Sequence, residues 1–252
     1  MYAITGITGK VGGAVARTLL DANLPVRAVV RDARKGEVWD AQGCEVVLAD
    51  IADRAALAAA FDGAEGVFVL IPPMFDPTPG FPEARSVSAS LKSALETTRP
   101  QKVVCLSTIG AQAPQPNLLN QLGIMEQTLG TLPIPVAFLR AAWFMENIAW
   151  DVEPAREKGM ISSFLQPLDK PFPMVATADI GRVAARLLRE TWSGRRIVEL
   201  ERSATRNAKC GCRDILANPS EARPHRDCSA RNMGGTVYLA GHEESDASHS
   251  NA

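Results

Sequence analysis

Tyrosine occurs only twice in these 252 residues, and histidine only three times. Tyr2 falls in the first apolar run, Tyr238 lies near the C-terminal end, and all three histidines come after Glu201. A Ser-His-Asp hydrolytic set in the main body is therefore excluded, since it needs an imidazole there. An excess of one charge is also lacking: 27 Lys and Arg against 28 Asp and Glu leave a net charge of -1. That balance gives no chain-wide attraction for nucleic acid or an anionic membrane surface. No apolar run approaches the roughly eighteen residues of a membrane span. At the N-terminus, polar residues from Thr5 to Lys10 interrupt any signal-like apolar segment, so a cytoplasmic location is expected. Of the five cysteines, Cys44 and Cys105 lie in or beside apolar runs and read as small core residues.

What is present, up to about Glu201, is an alternation of strand and helix patterns. "YAIT", "PVRAVVR", "CEVVLAD", "GVFVLIP", "KVVCLST", "IPVAFLR" and "RRIVELE" read as strands. Between them "KVGGAVARTLLDA", "ARKGEVWDAQG", "DRAALAAAF", "PEARSVSASLKSALETT", "NLLNQLGIMEQTLG" and "VATADIGRVAARLLRET" carry helical spacing. Asp53 is placed to cap one of these helices, and Pro82 sits near the first turn of another. Nearly unbroken apolar strands separated by helices predict a parallel sheet covered on both faces, built from right-handed crossovers. The fold class is α/β, a doubly wound sheet in a single domain over residues 1–201.

The stretch "YAITGITGKVGG" places Gly6, Gly9 and Gly12 between the first strand and the first helix. Glycine tolerates the tight turn, and absent Cβ atoms let a pyrophosphate approach the backbone. The helix N-terminus then turns its free N–H groups on the phosphates. The spacing is G-x-x-G-x-x-G rather than G-x-G-x-x-G, so the strand before and the helix after carry the inference. The second strand ends in Arg31, where NAD binders usually place an acidic residue. A guanidinium suits a 2′-phosphate, which predicts NADP (NADPH) in preference to NAD, although Asp32 could still serve a ribose. Asp50, at the end of the third strand, could reach an adenine amino group or could cap a turn.

With "TGITGKVG", "VVRD", "FVLIPP", "LRAAWFMEN" and "TADIGRVAA" in place, the chain resembles the NmrA-like family over roughly residues 1–201. These are atypical short-chain dehydrogenase/reductases, close to NAD(P)H:quinone oxidoreductases. The resemblance implies a Rossmann-like fold, with NADP in the crevice at the carboxyl ends of the strands. It implies that Gly6, Thr8, Gly9, Lys10, Val11 and Gly12 line the pyrophosphate and that Arg31 meets the 2′-phosphate. Ile71, Pro72 and Ser107 would approach the nicotinamide. Trp143, Phe144 and Asn147 would border the substrate cleft, core packing being the alternative for the two rings.

Standard members of the superfamily carry Tyr-x-x-x-Lys on the helix after the fifth strand, for proton transfer. The matching helix here has neither residue. Alcohol–ketone chemistry is therefore not expected, whereas hydride transfer to a quinone-like acceptor forms a delocalised anion that water can protonate. Glu126, on the same helix, reads as a surface or helix-packing residue, an acid/base role being the lesser alternative. The alternative function is a redox sensor of the NmrA type that binds NAD(P) and signals to a protein partner.

After Glu201 the pattern is lost. Residues 202–252 show no sustained period of 2 or 3.6, are enriched in Cys, Arg, Ser and His, and are expected to be mostly irregular or disordered. Their composition looks like translation in a shifted reading frame. Cys210, Cys212, His225 and Cys228 could supply four metal ligands, but their spacing matches no standard zinc module, and no metal is expected.

Overall fold

The computed structural model describes residues 1–158, 160–163, 169–201 and 235–238. The chain divides into two compact units: Met1–Ala142 with Val175–Glu201, and Trp143–Met174 with the chain beyond Glu201. Each is described by itself.

The first unit holds seven strands: β1 (Tyr2–Ile4), β2 (Val26–Val30), β3 (Glu45–Leu48), β4 (Gly66–Val69), β5 (Lys102–Thr108), β6 (Val136–Ala141) and β10 (Arg195–Leu200). They form one sheet in the order β10-β6-β5-β4-β1-β2-β3. Every pairing is parallel, with Tyr2 opposite both Val26 and Gly66, and Val136 opposite both Val103 and Arg195. The helices are α1 (Lys10–Asp21), α2 (Ala33–Asp40), α3 (Arg54–Phe61), α4 (Pro82–Thr98), α5 (Asn120–Leu129) and α7 (Thr177–Arg189). This is the expected Rossmann-like α/β architecture. Strand order reverses between β1 and β4, and that reversal opens the ligand crevice of such folds at the strands' carboxyl ends.

Side chains alternate across each strand, so the central strands bury both faces. Val67, Val69, Val103, Cys105, Val136 and Phe138 point to the layer formed by α3, α4 and α5, where they meet Leu57, Phe61, Leu91, Leu95, Met125 and Leu129. On the other side α1 and α7 pack on one another. A Cβ built at Gly181 would stand 2.5 Å from the Cβ of Ala14, so only glycine permits that approach.

The second unit contains β7 (Trp143–Phe144), a 3₁₀ segment at Met145–Trp150, α6 (Val152–Lys158), β8 (Met160–Ser163), the first residue of β9 (Met174–Val175) and β11 (Gly235–Tyr238). β11 lies within the expected tail and pairs antiparallel with β8, Tyr238 opposite Met160. That pairing joins residues 235–238 to residues 160–163 within the second unit. The rest of residues 202–252, including the four candidate metal ligands, lies outside the described residues. Among the described residues no helix is long and apolar enough to cross a membrane, and no group of three or more His, Cys, Asp and Glu could hold a metal.

Candidate cofactor and acceptor site

The glycine loop is a backbone structure. At the end of β1 the Thr5 hydroxyl donates to Phe68 O and accepts from Leu70 N–H, both at 3.2 Å. These bonds tie β1 to β4 at the strand reversal. Gly6 turns the chain at φ +61°, a conformation that disfavours side chains, and a Cβ there would lie 2.7 Å from Leu70 Cδ2. Gly9 N–H donates to Gly6 O at 2.9 Å. A Cβ at Gly12 would stand 2.3 Å from that same carbonyl oxygen. Loop and helix therefore touch backbone to backbone. A Cβ at Gly9 would meet nothing closer than Gly6 O at 3.2 Å, and Thr8, Gly9 and Lys10 are exposed. No side chain caps α1. The N-terminus of such a helix, with the positive end of its dipole, is suited to an anion. Val11 is buried, so its contribution to that site is its amide.

The ribose end is built on the turn into α2. Asp32 caps α2, accepting from Arg34 N–H at 3.0 Å and from the Arg34 guanidinium at 3.2 and 3.3 Å. Arg34 holds this carboxyl below the usual aspartate range, first through its side chain and then through its amide. The acid that could have served a ribose hydroxyl thus caps α2 and pairs with Arg34 at an exposed position. Arg31 is exposed and makes no ion pair among the described residues. Asp50 accepts from Ala52 N–H at 2.8 Å, so it caps the turn after β3.

Beyond β4, Ile71 is buried and Pro72 exposed. Beside them on β5, the buried Ser107 hydroxyl donates to Glu126 Oε1 at 2.6 Å. Glu126 in turn accepts from Arg140 Nε at 2.9 Å and Nη2 at 2.7 Å, a bidentate pair. Arg140 Nη1 reaches Glu199 Oε1 at 3.3 Å. The chain Ser107–Glu126–Arg140–Glu199 thus crosses β5, α5, β6 and β10. The hydrogen bonds that Arg140 donates to Glu126 push the Arg140 pKa further up, and burial, with Glu126 second, raises the Cys105 thiol well above its ordinary value. Cys105 is therefore an inert core residue.

Sequence reasoning left surface and packing roles open for Glu126; the surface alternative fails, because its side chain is 11% exposed and fully paired. The signal was on the other strand. An arginine inside the otherwise apolar "VAFLRA" of β6 requires a buried counter-charge. The proton of Ser107 is engaged, and α5 carries neither tyrosine nor lysine.

Trp143, Phe144 and Asn147 all lie in the second unit and are half-buried. The Trp143 amide donates to Pro173 O at 3.4 Å. Its indole Nε1 is buried and has no hydrogen-bond partner among the described residues. Complete core burial of the two rings is not observed.

An all-parallel, doubly wound sheet with an uncapped glycine loop at its strand reversal defines a Rossmann-like α/β protein. The chain belongs to the NmrA-like family, whose sequence profile matches residues 2–205. It is 30% identical over 190 residues to an NAD(P)H azoreductase of Xenophilus azovorans, covering 75% of this chain and 63% of that protein. It is 28% identical over 203 residues to quinone oxidoreductase 2 of Escherichia coli, covering 79% of this chain and 68% of the relative. The solved triphenylmethane reductase of Citrobacter sp., complexed with NADP(H), superposes with a TM-score of 0.74 at 21% identity, covering 90% of this chain and 78% of that one. The chain thus spans about two thirds of the length of these curated relatives.

Proposed function

We propose that this protein is an NADPH-dependent oxidoreductase that delivers hydride to a quinone or a similar flat, conjugated acceptor. The observation that carries this reading is the exposed turn of Thr8, Gly9 and Lys10, held against α1 by the close approach of Gly12 to Gly6 O, at a helix start that no side chain caps. Family membership and relatives named for azo and quinone reduction support it. When bound, the dinucleotide supplies the hydride from its reduced nicotinamide. The loop and first-turn amides of α1, from Thr8 to Gly12, hold the pyrophosphate. Arg31 holds the 2′-phosphate, with Asp32 paired to Arg34. Asp50 retains one carboxylate oxygen for the adenine amino group. Ile71, Pro72 and Ser107 form the nicotinamide side, with Ser107 fixed by Glu126. In the second unit, Trp143, Phe144 and Asn147 are the candidate acceptor-binding residues.

With no Tyr-Lys pair, the protein's contribution is position. The reduced acceptor's anion is delocalised, and water supplies its proton. The engaged proton of Ser107 also suits a second reading, a nucleotide sensor with no turnover. Steady-state oxidation of NADPH with menadione separates the two. We expect quinone-dependent oxidation well above the protein-free rate, faster than with NADH. No excess rate while NADPH demonstrably binds leaves the sensor.

A further inference from the structure

We propose that the groove between the loops following β4 and β5 binds the charged end of an anionic aryl acceptor, with Arg85 as the partner of its sulfonate or carboxylate. This deepens the reductase reading above and rests on it for the identity of the ligand as an acceptor.

The groove has a volume of about 580 Å³, suited to a two-ring aromatic. Its apolar walls come from Phe81, Pro114, Pro116 and Ile124, and its cation is Arg85. The loop after β4 also carries Ile71 and Pro72, and the loop after β5 begins just past Ser107, so the groove lies at the carboxyl ends of these strands, where the proposed function puts the nicotinamide. Gln121 Nε2 donates to Met74 O at 2.9 Å and ties α5 to the loop after β4.

Arg85 is held but not neutralised. Its Nε donates to Gly80 O at 3.0 Å, which aims the guanidinium, and no carboxylate among the described residues pairs with it. The acid nearest in sequence, Glu83, is bonded to the Thr78 hydroxyl. A fixed guanidinium with free terminal N–H groups matches a planar or tripodal oxyanion. The amide of Asn120 is spent at both ends, accepting from Asn117 N–H at 2.8 Å and donating to Ala113 O at 3.0 Å, so it is wall rather than handle. Phe81 is half-buried at φ +57° and ψ +48°, a left-handed conformation that a phenylalanine adopts at a cost. Such strain persists where the surroundings impose it, as at ligand clamps. Here it fixes the ring that lines the groove.

The test uses naphthalene-2-sulfonate and neutral 2-naphthol as redox-inert probes, with calorimetric binding to the full chain and competition against menadione. We expect the sulfonate to bind at least about tenfold more tightly than the naphthol and to compete with menadione. Arg85→Gln should remove that preference, Arg85→Lys should restore part of it, and Arg99→Gln, at the far end of α4, should leave it intact. Phe81→Leu should weaken both probes alike. Equal affinities for the two probes, indifference to Arg85→Gln, or binding without competition overturns the proposal. If the sulfonate binds at Arg85 but no acceptor oxidises NADPH, the reductase reading fails, and the acceptor assignment fails with it while the anion site stands.

Discussion

The two ends of the crevice are built on opposite principles. At the glycine loop the structure is open: Thr8, Gly9 and Lys10 are exposed, no side chain caps α1, and Arg31 is exposed with no ion pair among the described residues. At the α5 end it is closed: Ser107, Glu126, Arg140 and Glu199 satisfy one another across four elements. On the proposed function the open end is where the cofactor binds, whereas the closed end pairs its own polar groups. A mutation at the closed end should therefore register in stability, and one at the open end in binding.

The largest effect should come from opening the closed end. Arg140→Ala leaves Glu126 buried without its bidentate partner, and breaking such a pair costs about 3–5 kcal/mol. Urea unfolding should show it as a fall in midpoint at unchanged slope. A loss within about 0.5 kcal/mol, the range of ordinary surface changes, would mean that the pair is solvated.

Filling the open end should do the reverse. Gly9→Val puts a branched side chain into the phosphate cradle and should abolish NADPH binding while the unfolding midpoint stays near the wild type. Fluorescence titration beside the same urea curve checks both halves. Retained binding would mean that the pyrophosphate lies elsewhere. Next in size, Arg31→Ala should remove most of the NADPH-over-NADH preference, worth about 1.5–3 kcal/mol for a charge-assisted contact. Comparable affinities in the unmodified protein would contradict that role.

Phe144→Ala should raise the KM for menadione by about tenfold, the effect of roughly 1–2 kcal/mol of lost apolar contact, with cofactor affinity unchanged. The smallest effect belongs to Asp32. Its carboxyl is held below the usual range by Arg34, so its contribution is present above the ordinary aspartate pKa and is lost as pH falls through the lower folded value. Asp32→Asn should therefore differ least from the wild type at strongly acid pH.

The same contrast explains what was legible in the sequence. The open end is written in local signals, namely glycines after a strand, a helix behind them and an arginine at a strand end. The sheet was legible too, because buried parallel strands read as apolar runs. The Ser107–Glu126–Arg140–Glu199 chain joins residues brought together by strand order, and only the arginine within an apolar strand hinted at it. The pairing of β11 with β8 was hidden because a four-residue strand such as Gly235–Tyr238 carries little periodicity. The pairing of Asp32 with Arg34 was likewise a matter of geometry, since the sequence alone left that acid free for a ribose.

One measurement bears most directly on the claim that an open cradle and a self-satisfied polar chain serve hydride transfer by position alone. It is single-turnover stopped-flow absorbance of bound NADPH mixed with menadione across a range of pH. We expect complete loss of the reduced-nicotinamide signal at a rate that saturates with quinone and shows no steep ionisation. A rate controlled by one titrating group, or no loss of signal with NADPH bound, would contradict it.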